Sequence, residues 1–374
     1  MKLKDIAKVQ GGFAFKSDSF ISNGTPVIRI GNIVNNEVII DNEITAPIST
    51  IGERKEFLIN KNDILIAMSG ATVGKVGIYS YDYPSMLNQR VGNIKTDSKY
   101  QKYIYYLLQS PLFKKYVDLS AFGCAQPNIS GTQIENFAFK ENNLDEIEKI
   151  VLKLDNVVSL INLRKKEIEK CNELIKSQFV EMFGDPITNE KNWNTDKINN
   201  VAPSKNYKGE FDSNRVWLLN LDMVESNTGR IIDYLYKNID NIGNSTCCFS
   251  EDNVLYSKLR PYLNKVVMPD QKGFATSEMV PLLPDKIKLN RTFLTYLLRS
   301  DSFVDYISVK VSGAKMPRVI MEEFRKYKII LPPIELQNKF AQIVKQIDKQ
   351  KFEFEKSLKK LEELQSSLMQ EYFG

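Results

Sequence analysis

The chain has 374 residues, of which 43% are hydrophobic and 26% charged, and its formal net charge is +5. This composition is typical of a globular protein of two or three domains, and no run of about 18 apolar residues is present that could span a membrane. Because the chain contains no histidine, histidine-based catalytic triads and most zinc chemistry are excluded.

The amino-terminal segment and the cysteines predict where the protein works. The first residues, MKLKDIAKV, interleave charged and apolar side chains and lack the apolar core of a secretion signal. Cysteines at positions 124, 171, 247 and 248 fit neither a zinc pattern nor a disulfide framework. The expected location is therefore the reducing cytoplasm.

The segment SGATVGKVG at residues 69–77 has the glycines and the lysine of a phosphate-binding loop. Such a loop places four residues between its first glycine and a Gly-Lys pair, and a Ser or Thr follows the lysine. Here three residues separate Gly70 from Gly74, and Val76 follows Lys75. A nucleotide site is therefore rejected. A hairpin turn without a ligand, or a place where the backbone comes close to a partner, remain as alternatives.

The chain repeats itself at an offset of 190 residues. The segments YLLQSPLFKKY at 106–116 and YLLRSDSFVDY at 296–306 agree at six of eleven positions, and the same offset pairs Lys75 with Lys265. The counterpart of the glycine segment reads LRPYLNKVV and lacks all of its glycines, which is a second reason to reject a phosphate loop. The sequence predicts two tandem copies of one unit.

The front part of each copy, residues 1–140 and 185–330, contains short apolar runs broken by Gly, Asn, Asp and Pro. This pattern predicts strands and turns. One amphipathic helix is expected near residues 100–117 and again near 290–307. The predicted fold class is therefore α+β, with two mixed α/β domains in tandem repeat.

The back part of each copy, residues 141–184 and 331–374, has the pattern of a long helix. An apolar side chain recurs every seven residues, which is typical of a coiled coil, and about 40 residues would extend roughly 60 Å. We expect the two helices to pair as an antiparallel coiled coil. The alternative is that each packs alone on its own domain. The repeating positions are Ile147, Leu154, Ile161, Ile168, Ile175, Phe340, Ile347, Phe354, Leu361 and Leu368.

Three segments resemble the specificity subunits of type I restriction-modification systems. They are LIKSQFVEMFGDP at 174–186, QPNISGTQIENF at 126–137 and LPPIELQNKFAQIV at 331–344. The resemblance covers essentially the full length, although the second copy has KMPRVI where the first has AQPNIS. It implies target-recognition domains at 1–140 and 185–330, a central helical spacer at 141–184 and a carboxyl-terminal helical spacer at 331–374.

The resemblance also implies a function. Each target-recognition domain would read one half of a bipartite site in double-stranded DNA, and the helices would set the gap and dock two methyltransferase subunits. Restriction subunits with translocase and nuclease activity join some such complexes. The family implies no catalytic residues and no cofactor on this chain, with S-adenosylmethionine, ATP and Mg²⁺ on the partners.

Candidate DNA-binding residues are basic or amide side chains in the loops of the two front parts. Lys and Arg neutralise phosphates, Arg pairs with guanine, and Gln and Asn pair with adenine. For each one the alternative is a solvated surface side chain. The candidates are Lys16, Arg29, Lys75, Arg90, Gln126, Asn128, Lys205, Lys208, Arg230, Lys258, Arg260, Lys315 and Arg318.

Two other functional classes compete with this interpretation. One is a non-enzymatic adaptor that binds proteins through two heads on a coiled-coil spacer. The other is a free-standing nuclease or methyltransferase. The chain lacks the Asn-Pro-Pro-aromatic motif expected where a flipped adenine is methylated, so methyl transfer would require a partner.

Overall fold

The computed structural model describes residues 1–40, 44–121 and 127–374. The chain divides into two compact units. Unit 1 comprises Met1–Arg164 and Lys356–Gly374, and unit 2 comprises Lys165–Glu355. Each unit therefore combines one strand-rich front part with portions of both long helices.

Within its described residues, unit 1 contains two sheets and three short α-helices ahead of a long one. Its described strands are β1 (Ala7–Gly11), β2 (Thr25–Ile28), β3 (Ile33–Val34), β4 (Glu37–Val38), β5 (Thr45–Ala46), β6 (Leu58–Ile59), β7 (Ile64–Ala67), β8 (Val76–Ile78), β9 (Ser85–Leu87) and β10 (Val91–Thr96). Its described helices are α1 (Ser98–Leu107), α2 (Pro111–Ser120), α3 (Gly131–Glu135) and the first half of α4 (Leu144–Phe183).

Unit 2 repeats this plan. Its strands are β11 (Thr195–Lys197), β12 (Arg215–Leu219), β13 (Leu235–Asn238), β14 (Thr246–Phe249), β15 (Val254–Ser257), β16 (Val266–Val267), β17 (Gly273–Thr276), β18 (Met279–Leu282), β19 (Val311–Ser312), β20 (Arg318–Val319) and β21 (Lys328–Ile330). Its helices are α5 (Ile198–Val201), α6 (Arg291–Arg299), α7 (Asp301–Ser308), α8 (Met321–Lys326) and the first part of α9 (Ile334–Phe373).

The sheets show that the two front parts share the topology of their central strands. The strand order β5-β2-β9-β6 in unit 1 corresponds to β13-β12-β17-β14 in unit 2. In both sheets the two central strands are parallel and the outer pairs are antiparallel. The antiparallel set β8-β7-β10 likewise corresponds to β16-β15-β18. The predicted tandem repeat of mixed α/β domains is therefore confirmed.

The long helices α4 and α9 are equivalent elements of the repeat. Each has 40 residues, and their first residues, Leu144 and Ile334, are 190 positions apart. Asn143 and Glu146 cap the start of α4 reciprocally, since each backbone N–H donates to the other's side chain. Gly184 ends α4 with a left-handed φ of 74°, a conformation that glycine adopts without strain.

Within each unit the two helices run antiparallel. In unit 1 the Lys153 Nζ donates to the Tyr372 hydroxyl at 3.0 Å. In unit 2 the Lys351 Nζ donates to Asn172 Oδ1 at 2.8 Å, and the Phe179 ring lies 5.6 Å from the Phe340 ring. The predicted antiparallel pairing of the two long helices is therefore confirmed within each unit. The alternative of a helix packed on one domain alone fails, because each helix contributes to the cores of both units.

The apolar seven-residue positions differ in burial along the helices. Those near the domains are buried, namely Ile147, Leu154, Ile161, Ile175, Phe340 and Ile347. The remaining ones, Ile168, Phe354, Leu361 and Leu368, are half-buried. The cores of the units are therefore densest where helix meets domain.

The prediction of one helix over residues 100–117 is wrong, because α1 and α2 are separate. Ser110 is the N-cap of α2, and its side chain accepts a hydrogen bond from the Phe113 N–H. Pro111 follows at the first helical position, where its missing N–H is harmless. The prediction for residues 290–307 fails in the same way, since Ser300 caps α7 directly after α6.

No helix among the described residues is long and apolar enough to cross a membrane.

Candidate nucleic-acid interface

Backbone hydrogen bonds bring three loops of unit 1 together. The Met68 N–H donates to the Arg90 carbonyl and the Ile129 N–H to the Met68 carbonyl, both at 2.9 Å. The Gly70 N–H donates to the Pro127 carbonyl at 2.9 Å. We call residues 68–75, 88–90 and 127–129 the unit 1 loop cluster. It gathers the exposed candidates Lys75, Arg90 and Asn128.

Two further candidates of unit 1 lie beside this cluster. Arg29 directly follows β2, and the Asn88 N–H donates to the carbonyl of Ile28 at 3.1 Å. Lys16 lies three residues beyond Phe13, whose N–H donates to the Leu87 carbonyl. Lys16 and Arg29 are both exposed. Gln126, the remaining candidate of the first domain, lies outside the described residues.

The same three hydrogen bonds recur in unit 2. The Lys258 N–H donates to the Glu278 carbonyl at 3.0 Å, the Val319 N–H to the Lys258 carbonyl at 2.8 Å, and the Arg260 N–H to the Pro317 carbonyl at 2.7 Å. We call residues 258–264, 278 and 315–319 the unit 2 loop cluster. It gathers the candidates Lys258, Arg260, Lys315 and Arg318. Lys315 and Arg318 are exposed, while Lys258 and Arg260 are half-buried.

The glycine segment of residues 69–77 forms the turn between β7 and β8 and continues into the first two residues of β8. Gly70 and Gly74 have left-handed φ angles of 77° and 82°, a region that glycine enters without steric cost. A Cβ on Gly74 would lie 3.0 Å from Val117 Cγ1. The glycines therefore meet requirements of the turn itself, which favours the hairpin alternative over a close approach to a partner.

Arg260 and Asn264 replace these glycines in unit 2 and keep the left-handed backbone, with φ of 50° and 49°. For an arginine that precedes a proline this conformation is strained. Within the part of the chain that the structure describes, the buried Nε of Arg260 and Oδ1 of Asn264 have no hydrogen-bond partner. Both atoms belong to the unit 2 loop cluster, and such unpaired buried groups are uncommon in folded proteins.

Arg318 is held by an acidic residue that the sequence analysis did not identify. Its Nε donates to both carboxylate oxygens of Glu278 at 3.1 and 3.2 Å, and its Nη2 donates to Oε1 at 3.0 Å. This contact raises the pKa of Arg318. In unit 1 the equivalent position is Arg90, because its carbonyl accepts from the Met68 N–H as the Glu278 carbonyl accepts from the Lys258 N–H. The two loop clusters therefore display different chemistry on the same backbone arrangement.

Lys205 and Lys208 lie apart from the loop clusters. The Lys205 N–H donates to the carbonyl of Pro281 within β18. The unit 2 loop cluster instead contains Glu278, the residue just before β18. Lys208 follows in the exposed loop that leads to β12. The position and exposure of these lysines indicate no role other than contact with DNA phosphates. That contact stays a prediction.

Arg230 lies next to the helices instead. It pairs with Glu225 through Nη2–Oε1 at 2.9 Å and Nε–Oε2 at 3.2 Å, and this contact lowers the pKa of Glu225. Arg230 also lines a cavity of about 680 Å³ in unit 2, together with Arg299 and Lys351. Arg230 is thus not part of the unit 2 loop cluster, but its turn contacts the cluster, since the Asn227 N–H donates to the Leu263 carbonyl at 3.2 Å.

No arrangement in the described residues suggests a metal centre, since none of them form a group of three His, Cys, Asp or Glu side chains placed to hold an ion. Cys247 is buried, and burial raises the pKa of its thiol to about 11. Nearby Cys248 is half-buried, and its pKa is raised for the same reason. High thiol pKa values are opposite to those of reactive cysteines.

Comparison with known proteins identifies one family. A family model described as the type I restriction modification DNA specificity domain matches residues 1–173 and again residues 186–366. The chain is 27% identical to the type I restriction enzyme MjaVIII specificity subunit of Methanocaldococcus jannaschii, over 47% of this chain and 43% of that relative. This match therefore spans less than half of the relative's length.

Two further similarities extend over nearly the whole chain. The type I restriction enzyme MjaIX specificity subunit of the same organism is 24% identical over 98% of this chain and 90% of that relative. The crystal structure of a type I restriction-modification system S subunit from M. genitalium superposes with a TM-score of 0.52, covering 100% of this chain and 95% of that chain at 16% identity. At this identity the structural likeness concerns the fold.

Proposed function

Because this chain belongs to the type I restriction modification DNA specificity family, we propose that it is the subunit that gives such a complex its DNA sequence specificity. Each unit reads one half of a bipartite site in double-stranded DNA. The observation that carries the proposal is the pair of loop clusters, in which equivalent backbone hydrogen bonds hold different side chains. One scaffold with two sets of side chains suits a site with two different halves.

The side chains of the clusters suit contact with DNA. Exposed lysines such as Lys75 and Lys315 supply phosphate contacts, which determine affinity and position. Amide and guanidinium groups, such as those of Asn128 and Arg318, suit base edges in the major groove. Unit 1 would favour adenine through Asn128, and unit 2 would favour guanine through Arg318.

The helices α4 and α9 are proposed to set the gap between the half-sites and to dock two methyltransferase subunits. Two equivalent helices from a tandem repeat offer two similar surfaces, which suits two identical partners. Restriction subunits would join the same assembly. The chain itself contributes no catalytic group in this proposal. S-adenosylmethionine, ATP and Mg²⁺ would bind to the partners, and the complex would act in the cytoplasm.

Selection from a randomised duplex library tests the proposal. The chain is co-expressed with its methyltransferase subunits, and the assembled complex selects duplexes that are then sequenced. We expect a motif of two short conserved halves around a gap of fixed length. A complex that retains duplexes without any sequence preference would favour a protein-binding adaptor instead.

A methyl-transfer assay tests the division of labour. The complex is incubated with selected duplex and labelled S-adenosylmethionine, in parallel with the purified chain alone. We expect adenine methylation only from the complex. Methylation by the chain alone would show that it is itself the enzyme.

A further inference from the structure

The pair of Arg318 and Glu278 leaves a defined part of the guanidinium exposed. Glu278 accepts from Nε and Nη2 of Arg318, which are the donors on one side of the planar group. A guanidinium carries five N–H donors in a rigid plane. The donors that remain are both hydrogens of Nη1 and the second hydrogen of Nη2. One hydrogen of each nitrogen lies on the Nη1–Nη2 end of the group.

The exposure of the two side chains fits this geometry. The Arg318 side chain is 46% exposed, whereas the Glu278 side chain is only 21% exposed. Among residues 1–40, 44–121 and 127–374, no hydrogen bond or ion pair involves Nη1 of Arg318. Glu278 therefore holds two donors of a partly exposed guanidinium and leaves Nη1 without a partner among the described residues.

We propose that Glu278 is a positioning residue that presents the Nη1–Nη2 end of Arg318 to one guanine of the half-site read by unit 2. The inference rests on the proposed function. It adds that the base contacted is guanine and that Glu278 orients the arginine that contacts it. Guanine offers O6 and N7 as two adjacent acceptors in the major groove, and two parallel donors match them. Holding the guanidinium in place beforehand reduces the side-chain entropy that binding would otherwise cost.

The acid–arginine pair of Glu278 and Arg318 has no counterpart in the unit 1 loop cluster. In unit 1 the corresponding positions are Arg90 and Asn128, which cannot form an acid–arginine pair. The effect of disrupting the pair should therefore be confined to one half-site. The chain also supplies a matched control, since Arg230 and Glu225 form a similar two-point pair beside the helices.

The test compares four forms of the assembled complex on duplexes from the library selection. They are the wild type, Arg318→Ala, Glu278→Gln and the control Glu225→Gln. Each guanine of the selected motif is replaced in turn by 7-deazaguanine, which lacks the N7 acceptor, and in parallel by inosine, which lacks only the minor-groove amino group. Equilibrium binding is measured by fluorescence anisotropy, and thermal unfolding of each variant verifies that it folds.

We expect one guanine at which 7-deazaguanine weakens wild-type binding by between about fivefold and 150-fold, the range for one good two-point base contact. Inosine at that position should have no such effect. Arg318→Ala should abolish the 7-deazaguanine penalty. Glu278→Gln should reduce the penalty several-fold without weakening the binding of unrelated duplex, and Glu225→Gln should leave the penalty unchanged.

Three results would overturn the inference while leaving the proposed function intact. They are a unit 2 half-site without guanine, a penalty that persists in Arg318→Ala, and a Glu278→Gln variant that changes affinity for all duplexes equally with the penalty unchanged. A merely structural Glu278 would give the last of these. If the wild-type complex selects no motif at all, the proposed function fails, and the inference fails with it.

Discussion

Replacing Phe373 by alanine removes the ring that joins the last turn of α9 to unit 1. Phe373 is 4% exposed, and its ring centroid lies 5.3 Å from that of Tyr103 on α1. Its counterpart in the repeat is Phe183 at the end of α4, whose ring lies 4.7 Å from that of Phe293 on α6. The same aromatic contact therefore attaches a different helix end to each unit.

The expected cost of Phe373→Ala follows from burial and position. Loss of a buried Phe side chain removes about 2–3 kcal/mol of transfer free energy, and the cavity left behind raises the total to about 3–5 kcal/mol. Because Phe373 lies in the last turn of a helix, where the chain can relax, we expect the lower end, about 3 kcal/mol. For a unit of this size the midpoint of thermal unfolding should fall by about 6–12 °C.

Hydrogen exchange with mass spectrometry locates the effect. In Phe373→Ala the amides of α1 and of residues 144–164 should exchange about 100-fold faster, while those of unit 2 keep their protection. Phe183→Ala should do the reverse, with faster exchange in α6 and in residues 334–355. If Phe373→Ala left α1 protected, or loosened unit 2 by the same amount, the assignment of the α9 end to the core of unit 1 would be wrong.

Three smaller changes test other parts of the structure. Gly74→Ala should lower the free energy of unfolding in urea by about 1–2 kcal/mol, because residue 74 has a left-handed φ and a Cβ there would contact Val117. In the control Gly31→Ala the new Cβ meets nothing within 4 Å, and the loss should be less than half as large. Lys75→Gln should lower the salt dependence of DNA binding by about one unit of slope and leave base preference unchanged; a change in the selected motif would contradict a phosphate role. Because burial raises the pKa of Cys247 to about 11, only about one Cys247 thiol in a thousand is ionised at pH 8. Iodoacetamide should therefore modify Cys247 in the unfolded protein but not in the folded protein. Rapid labelling of Cys247 in the folded chain would refute its burial.

The elements that sequence predicted best are those specified by local patterns. The seven-residue apolar repeat, an uninterrupted run without proline or glycine, the start at Pro332-Pro333 and the stop at Gly184 all act within a few turns of the chain. The helices could therefore be placed to within a few residues. The tandem repeat was visible because segments such as 106–116 and 296–306 match at an offset of 190 residues, and α4 and α9 keep the same offset from end to end.

What the sequence could not predict depends on contacts between distant segments. Glu278 contacts Arg318 across 40 residues, and the offset of 190 would align it with Asn88 rather than with Arg90, its counterpart by hydrogen bonding. The two extra residues of unit 1 that shift this register lie between the starts of β8 and β9, whose counterparts β16 and β17 are closer together in the chain. The division of each helix between two units likewise follows from packing and not from local sequence.

The left-handed positions of the two turns show how one backbone arrangement carries two different sets of side chains. The hydrogen bond from residue 70 to Pro127, and from residue 260 to Pro317, holds the backbone in the same place in both units. In unit 1 glycine adopts this conformation freely, whereas Arg260 in unit 2 adopts it at a cost of about 1–2 kcal/mol. Strain of this size persists where the side chain is used, since glycine would remove it. We therefore interpret Arg260 as retained for its guanidinium, which belongs to the same loop cluster as Arg318.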